Sequence, residues 1–211
     1  MNAAVQFIEP NSPEWLAARV GQLGGSRIYD ATKKLKNGAY SAERRSLMVK
    51  MAAERITGRT AESYVSRPML WGIENEPNAI AAYEWQMSVD VQPVGWVQHP
   101  TIEWAGCTPD GGIGAEGLVE FKCPESHTHL EVMLSRDVPA MYYAQCQWQL
   151  ACQPEREWND FVSYDPRMPD HLQLVILRVL RDEKAIAELE AEAAKFLDEL
   201  AEMIGKLSKA A

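Results

Sequence analysis

The chain has 211 residues, 46% of them hydrophobic and 24% charged, with a net charge of −9. That length and mix suit a single globular domain with a proper core, and no run approaches the eighteen apolar residues that a membrane-spanning helix needs. Cys107, Cys123, Cys146 and Cys152 form no CxxC pair, which speaks against a zinc or iron–sulfur framework and for reduced thiols.

The charge is unevenly spread. Residues 1–60 carry ten Lys or Arg against five Asp or Glu (+5), and the remainder eleven against twenty-five (−14). A basic region on an acidic body would hold phosphates at one place and metal at another; ordinary solvated surface is the alternative. Residues 1–6 lack the charged and apolar regions of a signal peptide, so a cytoplasmic location is expected.

In chain order, Ser12 as N-cap and Pro13 in the first turn predict a short helix over 12–19. Gly21, Gly24 and Gly25 break the chain before a second helix near Ser26. A third is expected over 42–56, stopping at Gly58. Between Arg67 and Met87, Met69, Ile73, Ile80, Tyr83 and Met87 recur at helical spacing, with Glu76 inside the stripe and Pro77 as a kink. The period then changes to strands over 91–98, 102–107 and 118–122, with a turn over 109–112. A helix over 139–152 and strands over 158–164 and 172–180 follow. Asp182 then caps a long final helix over 182–211. The order predicts an α/β (α+β) fold, a mixed sheet flanked by helices, as one domain over 1–211.

On the strand Leu118-Val119-Glu120-Phe121-Lys122, side chains alternate, so Glu120 and Lys122 share a face opposite Phe121. The turn brings Asp110 beside Glu120. Two converging, partly buried carboxylates need a proton or cation between them, and oxygen donors suit Mg²⁺ or Mn²⁺, with the Phe121 carbonyl adding a ligand. Lys122 then sits where a reacting phosphate would lie. From these residues alone, a salt bridge between strand neighbours beside a turn Asp explains the pattern equally well.

The pattern resembles the core of the PD-(D/E)xK nuclease superfamily, whose fold is restriction-endonuclease-like. The surrounding words resemble its lambda-type alkaline exonucleases, the YqaJ-like viral recombinases. They are Trp15-Leu16-Ala17-Ala18-Arg19 with Gly25-Ser26, Trp71-Gly72 with Glu76, Thr108-Pro109-Asp110-Gly111, Gly117-Leu118-Val119-Glu120-Phe121-Lys122-Cys123-Pro124, Tyr142-Tyr143-Ala144-Gln145-Cys146-Gln147 and Tyr164-Asp165-Pro166-Arg167-Met168. They stand in the family's order across residues 12–185.

The resemblance implies a magnesium-dependent 5′→3′ exonuclease with two ions. It would degrade one strand of linear duplex DNA from a 5′-phosphorylated end to mononucleotides, leaving 3′ tails for recombination. Asp110, Glu120, the Phe121 carbonyl and Glu76 match the metal ligands, Lys122 the catalytic lysine, and Gln145 a glutamine over the active site. Arg19, Ser26 and Thr108 match a 5′-phosphate pocket, with Thr108 where the best-known member has serine. Gln147 and Gln149 are expected to be solvated or sheet-facing, and His99 is a candidate extra ligand or base. A homotrimeric ring around DNA, a single-strand annealing partner and a phage or prophage origin in a bacterial host are further implications. Lys33, Lys34, Lys36, Arg44 and Arg45 would line the channel, or lie on exposed loops. A RecB-like nuclease, a site-specific restriction endonuclease, which would not explain the Arg19, Ser26 and Thr108 pocket, and a DNA-end-binding protein with an inactive nuclease site are the rivals.

Overall fold

The computed structural model describes residues 12–60 and 66–209; the expectation drawn from residues 1–6 lies outside them. Helix α1 (Pro13–Arg19) starts where Ser12 accepts a hydrogen bond from the Trp15 N–H at 3.1 Å. Helix α2 (Gly25–Thr32) follows the glycine break. Helix α3 (Ala42–Thr57) ends at Gly58, whose φ of +66° is a left-handed conformation that glycine adopts at little cost. Helix α4 (Arg67–Met87) is capped by Ser66 and runs through Pro77.

The strands expected over 91–98 and 102–107 shrink to β1 (Val97–Gln98) and β2 (Gly106–Cys107). Pro93 supplies no N–H, and Gln92 makes only an isolated bridge to Gly112. That bridge belongs to an unforeseen strand, β3 (Gly111–Ile113), whose paired glycines had the composition of a turn. Strand β4 (Gly117–Lys122) matches the expected one. Helix α5 (Ser126–Ser135) was not anticipated. Helix α6 (Ala140–Cys152), β5 (Trp158–Tyr164), a 3-10 turn (Asp170–Leu172), β6 (Leu174–Leu180) and α7 (Glu183–Lys209) complete the order. Asp182 Oδ1 accepts from the N–H groups of Lys184 and Ala185, so it caps α7.

The main sheet runs β3-β4-β5-β6, with β4 and β5 parallel and the outer pairs antiparallel. The fold is therefore the mixed sheet flanked by helices that the pattern predicts. On one face, Tyr83 of α4 meets Phe121 edge-on at 5.6 Å between ring centroids and donates to Asp160 of β5 at 2.9 Å. On the other, α6 packs on the sheet and is covered by α2 and α7. Gly117 is required at the start of β4, because a Cβ there would lie 2.2 Å from the Trp158 ring.

Two expectations change. Of the apolar stripe on α4, Tyr83 is buried, but Met69 and Ile73 are exposed and face a cleft, not the core. Of the basic residues expected in a channel, Arg44 is buried, giving its Nε–H to the Ala31 carbonyl and pairing with Glu199 of α7 at 2.6 Å. Lys34 pairs with Glu192 of α7, also at 2.6 Å. Part of the N-terminal positive charge is thus spent on the acidic C-terminal helix.

Candidate active site

Register builds the centre of the site. Gly111 pairs with Val119, so Asp110 leaves the hairpin alongside the end of β4. Its Oδ2 accepts the Phe121 N–H at 2.7 Å. In a strand, a residue's N–H and C=O point to the same edge. The Phe121 carbonyl therefore faces the Asp110 side, past the last β3 partner. Burial first, and the Glu120 charge second, push the Asp110 carboxyl well above its ordinary pKa.

Glu120 is 1% exposed, yet it is fully provided with donors. Lys122 Nζ and Gln145 Nε2 both donate to Oε1, the amide at 2.6 Å, and Gln149 Nε2 donates to Oε2 at 2.5 Å. Burial works to lower the Lys122 pKa, but Glu120 and Asp110 outweigh it and hold the ammonium above its ordinary value. Of the two alternatives for Gln149, solvated or sheet-facing, the second holds: it is buried and bonded to Glu120 of β4 and Asn159 of β5. The available signal was its i+4 spacing from Gln145, which puts both amides on one helix face. Gln147 is also buried, but structural: it donates to the Leu180 carbonyl and accepts from the Asp182 N–H.

Glu76 approaches from α4. Burial raises its pKa, Lys122 offsets part of the shift, and Glu120 adds to it. The segment Asp165-Pro166-Arg167 fastens this side. Asp165 accepts from Arg167 Nε at 2.7 Å and from Ser126 Oγ at 2.6 Å. Arg167 also donates to the Pro124 carbonyl and lies 4.4 Å over the Trp71 ring. One guanidinium thereby links the end of β5, the exit of β4 and helix α4.

Arg19 ends α1, with its guanidinium 3.8 Å over the Trp15 ring. Burial, then repulsion from Arg27, lower its pKa to about 10, with Glu54 opposing. Ser26 lies in the first turn of α2, whose N-cap, Gly24, offers no side-chain acceptor. The Thr108 Oγ1 is buried without a hydrogen-bond partner. A cation, two hydroxyls and an uncapped helix N-terminus suit an anion.

Arg19, Ser26, Thr108, Glu76, Asp110, Glu120, Lys122 and Gln145 all line one cleft of about 740 Å³. An apolar hollow of about 470 Å³ between α7 and Tyr143 holds none of them. His99 lies outside the cleft: it is buried, stacks on Trp148 at 5.0 Å, accepts the Ile102 N–H at 3.1 Å and has its Nε2 3.2 Å from Glu190 of α7.

Asp110, Glu120 and Glu76 offer carboxylate oxygens to the cleft. Among the described residues, no three His, Cys, Asp or Glu side chains close into a ligand cluster. Carboxylate and carbonyl oxygens suit a hard ion that substrate oxygens complete. The four cysteines are free thiols, three of them buried.

Asp110, Glu120 and Lys122 thus come together at adjoining strand ends of the mixed sheet, with Gln145 of α6 donating to Glu120. The family described as YqaJ-like viral recombinase domain matches residues 14–154, and the chain belongs to that family. The crystal structure of an alkaline exonuclease (LHK-Exo) from Laribacter hongkongensis is similar at 39% identity and a TM-score of 0.87. The match covers 94% of this chain and 97% of that one. The structure of LHK-Exo in complex with dAMP matches with the same values. A phage related exonuclease from Haemophilus somnus 129PT, 16% identical, covers 87% of this chain and 96% of that one at a TM-score of 0.68, a likeness of fold. No curated protein matches the sequence. Among the described residues, no helix is long and apolar enough to cross a membrane.

Proposed function

We propose that the chain is a magnesium-dependent 5′→3′ exonuclease that removes mononucleotides from a 5′-phosphorylated end of duplex DNA, leaving 3′ single-stranded tails. The observation that carries this reading is the shared cleft: Arg19, Ser26 and Thr108, groups that suit a terminal phosphate, line the same cleft as Asp110, Glu120 and Lys122. A terminal phosphate seated in the first would set which phosphodiester lies at the second, so each cut releases one nucleotide. The complex that LHK-Exo forms with dAMP is consistent with a mononucleotide product.

Asp110, Glu120 and the Phe121 carbonyl would hold Mg²⁺ or Mn²⁺, with Glu76 completing the site. The bound ions supply Lewis acidity and positive charge at the scissile phosphate. Lys122, held ammonium by its two carboxylate neighbours, offsets the negative charge that develops as the phosphodiester is attacked. Gln145 both donates and accepts, so it orients water or phosphate without competing for the charge of the metal. Arg19 grips the terminal phosphate through its planar fork.

The test uses linear duplex DNA with and without a 5′-phosphate, in magnesium or in EDTA. Magnesium-dependent loss from the 5′ end, faster on phosphorylated ends, is expected. Resection that ignores the phosphate or starts at the 3′ end would overturn the direction, and no cleavage in magnesium would favour an end-binding protein. The homotrimeric ring, the annealing partner, the cytoplasmic location and the phage origin rest on the family alone. Sedimentation equilibrium at three times the 23.7 kDa chain mass is the result expected for the ring.

A further inference from the structure

Behind Glu120, on the side away from the cleft, stands a pair of side chains that no step above uses. Gln149 and Asn159 are both 0% exposed. Gln149 donates to Glu120 Oε2 at 2.5 Å, and its own carbonyl accepts from Asn159 Nδ2 at 2.6 Å.

The polarity of this chain of groups is forced from one end. An ionised carboxylate only accepts, so Gln149 must turn its NH₂ toward Glu120. Its carbonyl then faces Asn159, which must donate. The Asn159 Oδ1 is left buried without a partner. A buried polar atom left unpaired carries a desolvation cost, and the arrangement retains it. Asn159 sits on β5, directly across from Leu118 of β4, so its position is fixed by the sheet and does not depend on α6.

The two oxygens of Glu120 are therefore unequal. Oε2 is tied inward to Gln149. Oε1, shared by Lys122 and Gln145, is the oxygen turned to the groups that line the cleft. A carboxylate free to rotate about its last torsion would present either oxygen, or both.

We propose that Gln149 and Asn159 are positioning residues that clamp Glu120 Oε2, so that Glu120 meets a divalent cation through Oε1 alone. The inference rests on the reading of Glu120 as a metal ligand. Asn159 acts only through Gln149: it sets the orientation of the amide, and the amide sets that of the carboxylate. Partners of this kind, one shell behind a ligand, typically change metal affinity ten- to a hundred-fold when removed.

The probe is Mn²⁺ alone, titrated into the metal-free full chain and followed by electron paramagnetic resonance, with thermal unfolding in parallel. Gln149→Met keeps the length of the side chain and removes the donor. It should weaken Mn²⁺ binding about ten-fold. Asn159→Leu removes the orienting donor and should weaken binding several-fold, in proportion to the freedom the amide regains. The double variant should bind no worse than Gln149→Met, because the outer residue has nothing left to orient. Additive losses in the double variant would overturn the relay. So would unchanged Mn²⁺ affinity in either folded single variant, even with a lowered melting temperature, which would mark plain core packing. Should Gln149→Met fail to fold, Asn159→Leu alone decides by the same criterion. A wild-type chain that binds no Mn²⁺ would instead overturn the metal reading itself, and this inference with it.

Discussion

Arg44 and Glu199 stand 155 residues apart in sequence and are joined by a 2.6 Å ion pair. The same guanidinium gives its Nε–H to the Ala31 carbonyl, so one buried side chain ties α3 to α2 and to α7. Arg44→Met would leave that carbonyl unpartnered and the carboxylate uncompensated. Because Glu199 is 38% exposed, the cost should be about 2 kcal/mol, well short of a fully buried pair. Denaturant unfolding should show a lower midpoint with little change of slope.

Lys122→Met should lower the rate of cleavage by about 10³-fold, the loss typical of one donor aimed at developing charge. Duplex binding should change little, since the phosphate pocket is untouched. Single-turnover cleavage beside an equilibrium binding titration separates the two. Cleavage at the wild-type rate would remove Lys122 from the chemistry.

Arg19→Leu should abolish most of the preference for phosphorylated ends. We expect the ratio of rates on phosphorylated and unphosphorylated duplexes to fall at least ten-fold, chiefly through the phosphorylated substrate. Arg19→Lys should restore little of it, because an ammonium cannot make the planar two-pronged contact. A paired rate measurement on the two substrates checks this.

Asp165 sets an expectation for acid stability. Burial alone would raise its pKa, but the hydrogen bonds from Arg167 and Ser126 outweigh burial and hold it below its ordinary value of 3.8. A carboxylate depressed in the folded chain contributes stability that is fully present above the unfolded value. That contribution is lost as pH falls through the folded value. Asp165→Asn should therefore lower the melting temperature at neutral pH and flatten its dependence on pH below 3.8. An unchanged acid limb would separate Asp165 from acid unfolding.

The sequence made the centre of the site readable because a strand has a fixed period of two. Glu120 and Lys122 had to share a face, and the short Asp110 turn had to fall beside them. Other parts left no periodic trace. Strand β3 is two glycines and an isoleucine, the composition of a turn, and only pairing with β4 extends it. Helix α5, with Ser126, His127, Thr128 and His129 in its first turn, has little apolar rhythm. The stripe on α4 was visible, but a period shows which residues share a side and not what that side meets: Tyr83 reaches the core, Met69 and Ile73 the cleft. Asn159 could not be read at all, since its importance lies in a partner ten residues earlier on another element. Charge misled for a similar reason, because the acidic partners of Lys34 and Arg44 arrive at the far end of the chain.

That last feature bears on the order in which the enzyme is made. Every residue lining the cleft has been synthesised once Gln145 leaves the ribosome. Helix α2, which carries Ser26 in its first turn, still lacks α7, and Ile28, Ala31, Met48 and Met51 wait for Phe196 and Leu200 to complete their core. A nascent chain therefore holds a full set of site residues on an unfinished scaffold. Nuclease activity should appear only once α7 has emerged and packed against α2 and α3.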